Sequence, residues 1–286
     1  MKIILSRKGF DSSSGGCPSP ILPDGRLITL PIPDPYSSIS YEEISLVGFN
    51  AGMLVSDLTN GRLNGSDGAH LDPDLQAQSL KREPEWRPIF GQRGAAQGHL
   101  RNHRVGPGDL FLFYGLFREA ETEGSRYCWK KSSTTRHIIW GWLQVDDILE
   151  VTPALADVFD WMSYHPHLNR PQEKNNVIYL SMNSLQLPGH EGGAIPGSGV
   201  FTRVDPSLVL SGNQQDNTAS IWELPSWCYP RNGIFPLSYH QSNERWTRSG
   251  TKTLLKSATR GQEFILDTID FPEAVGWAKA LLYSST

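Results

Sequence analysis

Leu110-Phe-Leu-Phe-Tyr114 and His137-Ile-Ile-Trp-Gly-Trp-Leu-Gln-Val145 are the two stretches that decide the fold. The first is apolar on both faces and follows a Val105-Gly-Pro-Gly-Asp109 turn, which predicts a buried strand. The second is an equally strong strand that ends at an acidic turn. Working outward, Lys2–Ser6, Arg26–Leu30, Val177–Ser181 and Glu263–Leu266 read as further short strands. Pro31, Pro33 and Pro35 fix an extended segment that cannot be a central strand. Leu54 to Asp74 reads as a long loop with Asn-Gly and Asp-Gly turns. Helices are expected at Ala95–Asn102, at Ala154–Met162 behind the Thr152-Pro153 cap, and at Pro272–Tyr283. The expected fold is α+β: a single domain, residues 1–286, around a curved, mostly antiparallel, barrel-like sheet with a few short helices.

Composition bounds the rest. The chain has 286 residues, 38% hydrophobic and 20% charged, which excludes wholesale disorder. Its 20 prolines and 27 glycines limit long helices, and nine tryptophans favour β-rich structure or a stacking surface. A net charge of -4 means that any polyanion site must be a local patch. Two segments supply candidates. Lys81–Arg104 holds six basic residues against Glu83 and Glu85, a balance of +4, with Trp86 and Phe90 interleaved. Arg126–His137 holds four basic residues and no acid, beside Tyr127 and Trp129. Such segments can bind phosphate and stack on bases, or they can be charged loops. Cys17, Cys128 and Cys228 are widely spaced and odd in number, so neither a disulfide framework nor a zinc motif is expected. No apolar run reaches membrane-spanning length, and the one at the N-terminus is too short for a signal peptide. A reduced, cytoplasmic setting without a membrane is expected.

Several short constellations can carry chemistry. Asp11-Ser12-Ser13-Ser14-Gly15-Gly16 has the composition of a phosphate-cradling loop but lacks the lysine of a P-loop; an ordinary connection has the same composition. His70-Leu-Asp72-Pro-Asp74 puts an imidazole and two carboxylates at alternate positions. An extended chain turns all three to one side, toward a metal or a reacting water. The competing reading makes Asp72-Pro73 a turn and Asp74 a cap. His165-Pro-His167 can ligate zinc only with further ligands, which the spacing does not identify, and it reads as a partly exposed loop. Gln92, Gln97, His99 and Asn102 form an amide-rich run suited to base edges. Glu263 stands at the mouth of a predicted strand, as an acid or base or as an ion-pair partner of Arg260.

Six of these stretches carry a family resemblance. They are Ser6-Arg-Lys-Gly-Phe-Asp-Ser-Ser13, Pro18-Ser-Pro-Ile21, His70-Leu-Asp-Pro-Asp-Leu75, Phe90-Gly-Gln92 with Ala95-Ala-Gln-Gly-His-Leu100, Val105-Gly-Pro-Gly-Asp-Leu-Phe-Leu-Phe113 and Arg260-Gly-Gln-Glu-Phe264. Together they resemble the nucleotide-modification-associated domain of the third type, over about Met1 to Leu282. That resemblance implies association with systems that modify bases in phage and bacterial DNA. A second, narrower one is nested inside it. Gly108–Tyr114 followed by His137–Val145 is similar to the strand pair of PUA-like barrels of the EVE and ASCH groups, with residues 105–181 as the candidate barrel core. Such barrels hold a base in an aromatic pocket.

Three readings follow. In an enzyme that processes a modified nucleobase or nucleotide, His70 with Asp72 or Glu263 supplies acid–base chemistry. Asp11, Ser12 and Ser13 would then hold phosphate or sugar, and Gln92, Gln97, His99 and Arg260 would contact substrate. In a reader of a modified or flipped base, Tyr114, Trp140 and Trp142 would matter instead. A scaffold among the partner enzymes of a DNA-modification system would need neither set. Nucleic acid or a nucleotide is the expected partner. Transferase and hydrolase stay equally open, and the sequence assigns no cofactor or metal.

Overall fold

The structure, a computed structural model, describes residues 1–189, 195–212, 218–258 and 261–283. Six strands form the spine of its main sheet: β1 (Lys2–Arg7), β2 (Ile89–Gln92), β3 (Leu110–Glu123), β4 (Arg136–Glu150), β5 (Val177–Ser181) and β6 (Glu263–Asp267). Their order is β6-β1-β3-β4-β5-β2, and three short strands complete a nine-stranded sheet. β1 runs parallel to β3, and the other spine pairs are antiparallel.

The buried half of β3 begins at Leu110 and has apolar side chains on both faces because both faces are covered. Beyond it the strand reaches solvent and turns back at Gly124 (φ 63°) into the hairpin strand Arg126–Trp129. β4 pairs with β3 in register, Trp142 opposite Leu112, with an irregularity between Ile139 and Gly141. The mixed α+β character is as expected. Along the spine the pairing runs from β6 to β2.

Four helices are described: α1 (Ala51–Leu58), α2 (Gly94–Asn102), α3 (Leu155–Val158) and α4 (Glu273–Tyr283). α1 overturns the expected loop at Leu54. Asn50 caps it by accepting Met53 N–H, and Ala51, Leu54, Val55 and Leu58 form its buried stripe. The helix expected over Ala154–Met162 is broken at Phe159 (φ -125°, ψ 68°) into α3 and one 3-10 turn. Arg26–Leu30 makes only isolated bridges, not a strand. A three-stranded sheet of Ile221–Pro225, Lys252–Lys256 and Trp246–Ser249 was not anticipated. Among the described residues no helix is long and apolar enough to cross a membrane.

The apolar side chains form three clusters. One surrounds the main sheet, a second joins Phe10 and Leu30 to α1, and a third joins Ile89 and Ile178 to Met162. Ala69 and Leu71 belong to the second, Phe90 to the first, and Leu168 to the third. The segments carrying His70, Gly91 and His167 therefore meet where all three clusters join.

Candidate functional site

A cavity of about 300 Å³ opens at that junction, with Lys8, Asp34, His70, Asp72, Gly91 and His167 in its lining. Asp72 is its centre. Its Oδ1 accepts the Gly91 N–H at 2.6 Å and lies 3.3 Å from His165 Nε2, outside good hydrogen-bond alignment. Its Oδ2 faces His70 Nε2 at 3.8 Å and His167 Nε2 at 3.6 Å. Each of those rings is held from behind. His70 Nδ1 is 2.9 Å from Asp34 Oδ2, and His167 Nδ1 is 2.6 Å from Asn176 Oδ1.

Asp34 is itself fixed by Arg170 and by the Tyr36 N–H. Burial pushes its carboxyl up, but the hydrogen bond from His70 and the nearby charges outweigh this and bring it down to about 2. Burial likewise works against Asp72 ionising. The His165 ring 3.3 Å away and the neighbouring imidazoles reverse the effect and hold it well below the usual carboxylate range. Burial dominates at His167 and pushes its imidazole down to about 3. At neutral pH the centre is therefore a carboxylate beside a neutral His167.

The two histidine-bearing segments are clamped next to the site. Asp74, fully buried, accepts both guanidinium NH groups of Arg82 and the Tyr164 hydroxyl. Trp86 Nε1 donates to the same hydroxyl, and the Arg82 guanidinium lies 4.3 Å from the Trp86 ring centre. Asp74 is two residues past Asp72 and Tyr164 directly precedes His165, so the clamp sets how closely the segments approach. Asp74 is thus an ion-pair anchor rather than a helix cap.

The cavity also has basic side chains. Arg7, Lys8, Arg93 and Arg170 line it, and Arg7 makes no side-chain hydrogen bond or ion pair among the described residues. Arg93 pairs with Glu173. Lys8 Nζ reaches Glu263 Oε1 at 3.2 Å. The same oxygen accepts from Ser6 Oγ at 3.0 Å and from Gln92 Nε2, while Oε2 is buried without a partner. Glu263 is 1% exposed and absent from the cavity lining, so it fixes Lys8 and Gln92 from behind.

The remaining sequence candidates scatter. Asp11 and Ser13 line the cavity, but Asp11 Oδ1 takes up the Ser13 N–H, the Ser13 hydroxyl and the Ser14 N–H, turning those donors inward. Ser12 lies beside a smaller neighbouring cavity. Both ends of the Gln92 amide are engaged, by Glu263 and by Arg93 N–H. Gln97 is buried against the Tyr179 hydroxyl, and His99 meets Ser238 and Tyr239 away from the cavity. Tyr114, Trp140 and Trp142 are core rings, 1%, 5% and 4% exposed, and Trp140 lines a separate cavity beside Leu75 and Phe201. Arg260 lies outside the described residues.

Six of the ten basic side chains in the two segments are ion-paired. Arg82, Arg87 and Arg93 pair with Asp74, Asp146 and Glu173; Arg126 pairs with Asp57, and Lys130 and Arg136 with Glu119. His165 and His167 are buried, not exposed, and both lie beside Asp72. Asp34 was not singled out at all, because a lone aspartate in a proline-rich stretch carries no local signal. An exposed ring completes the surroundings: Tyr36 is 74% exposed, follows cavity-lining Pro35, and has the Arg170 guanidinium 5.3 Å from its centre.

A family model described as nucleotide modification associated domain 3 matches residues 2–267. Comparison with curated proteins and with solved structures yields no match.

Proposed function

Because the chain belongs to the nucleotide modification associated domain 3 family, we propose that it is an enzyme that processes a nucleotide or nucleobase in this cavity. One observation carries the reading: the His70–Asp72–His167 cluster shares a cavity with Arg7, Lys8, Arg93 and Arg170. The cluster presents lone pairs that take up positive charge and so activate a water or hydroxyl. The basic side chains, Arg7 above all, suit a phosphate near that point. At about 300 Å³ the cavity is at the small end of ligand sites and suits one nucleotide unit. A base within duplex DNA would have to be flipped out to reach it.

A binding-only reading is favoured by one feature, the exposed Tyr36 ring beside the cavity. It offers the stacking face that the buried tryptophans do not. Mass spectrometry of nucleosides from DNA and from the nucleotide pool, with and without expression of the protein, separates the two. A nucleoside that changes with the wild type and not with His70→Ala supports the enzyme. Unchanged nucleosides together with retained nucleotide binding would sink it in favour of the reader.

A further inference from the structure

The hydrogen bonds around the cluster fix which ring atoms point inward. A carboxylate only accepts, so His70 Nδ1 carries a hydrogen toward Asp34 Oδ2, and Nε2 is the nitrogen that faces Asp72. Asn176 Nδ2 donates to the carbonyls of His167 and Arg170, which leaves its Oδ1 facing His167 Nδ1. That nitrogen also carries the hydrogen, and His167 Nε2 keeps a lone pair. Asp72 Oδ1 is taken by the Gly91 N–H, and no donor reaches Oδ2 among the described residues. One potential ligand atom from each of His70, Asp72 and His167 thus faces the other two, all within 4.8 Å.

A metal ion at the centre would engage all three atoms at once. We propose that His70 Nε2, His167 Nε2 and Asp72 Oδ2 bind one divalent first-row transition-metal ion, with its other coordination positions open to the cavity.

The donor set selects the class of ion. Two imidazoles and one carboxylate suit zinc, iron(II) or cobalt(II), whereas magnesium and calcium favour all-oxygen sites. Ligand atoms about 2.1 Å from a metal at tetrahedral angles lie about 3.4 Å apart. Asp72 Oδ2 at 3.8 Å and 3.6 Å from the two nitrogens needs only a slight contraction. Both rings already have the outer partners that metal-binding histidines use, Asp34 and Asn176. A further group is poised at the carboxylate: His165, with a fully buried side chain, places its Nε2, which makes no hydrogen bond, 3.3 Å from Asp72 Oδ1. Ion binding here rests on the local geometry, and only what the ion does rests on the enzymatic reading above.

The full chain, stripped with chelator, is titrated with cobalt(II) followed by its visible absorption and with zinc(II) followed by calorimetry. One ion per chain is expected. His70→Gln keeps a donor toward Asp34 but loses the ligating nitrogen, and it should weaken binding at least ~10-fold, as should His167→Ala. Circular dichroism confirms that each variant is folded. Uptake of neither ion by the folded wild type would overturn the site, as would unaltered binding in a folded His70→Gln protein. The nucleoside measurement fails separately. An ion bound without any nucleoside change keeps the site and removes the enzymatic reading, and the converse result keeps the enzyme and removes the metal.

Discussion

Gly91 and His167 meet where only a hydrogen fits: a Cβ on Gly91 would lie 2.5 Å from the imidazole Cδ2 of His167. The same glycine donates its N–H to Asp72, so one strand residue sets the positions of two members of the cluster. Gly91→Ala must displace the ring or the strand. Overpacking of this kind costs about 1–3 kcal/mol. A lower urea midpoint together with weakened cobalt(II) binding is expected. Binding equal to the wild type would show that the ring has room.

Asp74→Ala leaves the Arg82 guanidinium, 9% exposed, without its carboxylate. Removing one partner of a buried pair costs roughly 3–5 kcal/mol. Tyr164→Phe removes only one hydroxyl and should cost about 1–2 kcal/mol. A double-mutant cycle by denaturant unfolding should return less than the sum of the two, because both act on one carboxylate. Strict additivity would dissolve the clamp into independent contacts.

Stability should fall as pH drops from about 6.5 toward 4. Burial pushes both His137 and His240 down to about 4 from an ordinary value of 6.5. Each is held neutral by a donor on one ring nitrogen, Trp222 Nε1 for His137 and the Ala258 N–H for His240. The unfolded chain takes up these protons near 6.5, the folded chain only near 4. Between those values the unfolded state binds more protons, so acid favours it. At about 1.4 kcal/mol per unit, each histidine removes up to about 3 kcal/mol. Urea midpoints between pH 7.5 and 4.5 test this, and a flat profile over that range would contradict it. The lowered carboxyls of Asp34 and Asp72 act at still lower pH, with the same sign.

Tyr36→Ala should leave folding intact, because the ring is 74% exposed. If the ring stacks on a base, nucleotide affinity falls by about 1–3 kcal/mol. Fluorescence titration with nucleotides reads the change, and unaltered affinity would remove Tyr36 from the site.

The strands β3, β4, β5 and β6 and the helix α4 were legible because short apolar runs between turn residues, or an apolar stripe at helical spacing, are local signals. α1 was not, since its stripe lies among glycines and turn formers. His70 and Asp72 were legible as neighbours in sequence. Their convergence with His167 was not, because it depends on β2 running between two segments far apart in the chain. The partner of His70 proved to be Asp34 rather than Asp72, a choice that only tertiary contact makes. Tyr114, Trp140 and Trp142 were ambiguous in the sequence for a related reason. A sheet covered on both faces needs the same large rings that a base-stacking surface would display. The basic segments misled because their counter-charges, such as Asp146 for Arg87, come from elsewhere in the chain.

The strand order has a consequence for synthesis. β1 precedes the other spine strands in sequence, yet it lies between β3 and β6, and β6 brings the Glu263 carboxylate that fixes Lys8 and Gln92. Every proposed metal ligand has been translated by residue 167, but the support behind Lys8 and Gln92 waits for β6. A nascent or truncated chain ending before Glu263 would carry the whole ligand set and still lack a finished cavity. Completion of the cavity is thereby tied to the arrival of β6, about a hundred residues after the last proposed ligand.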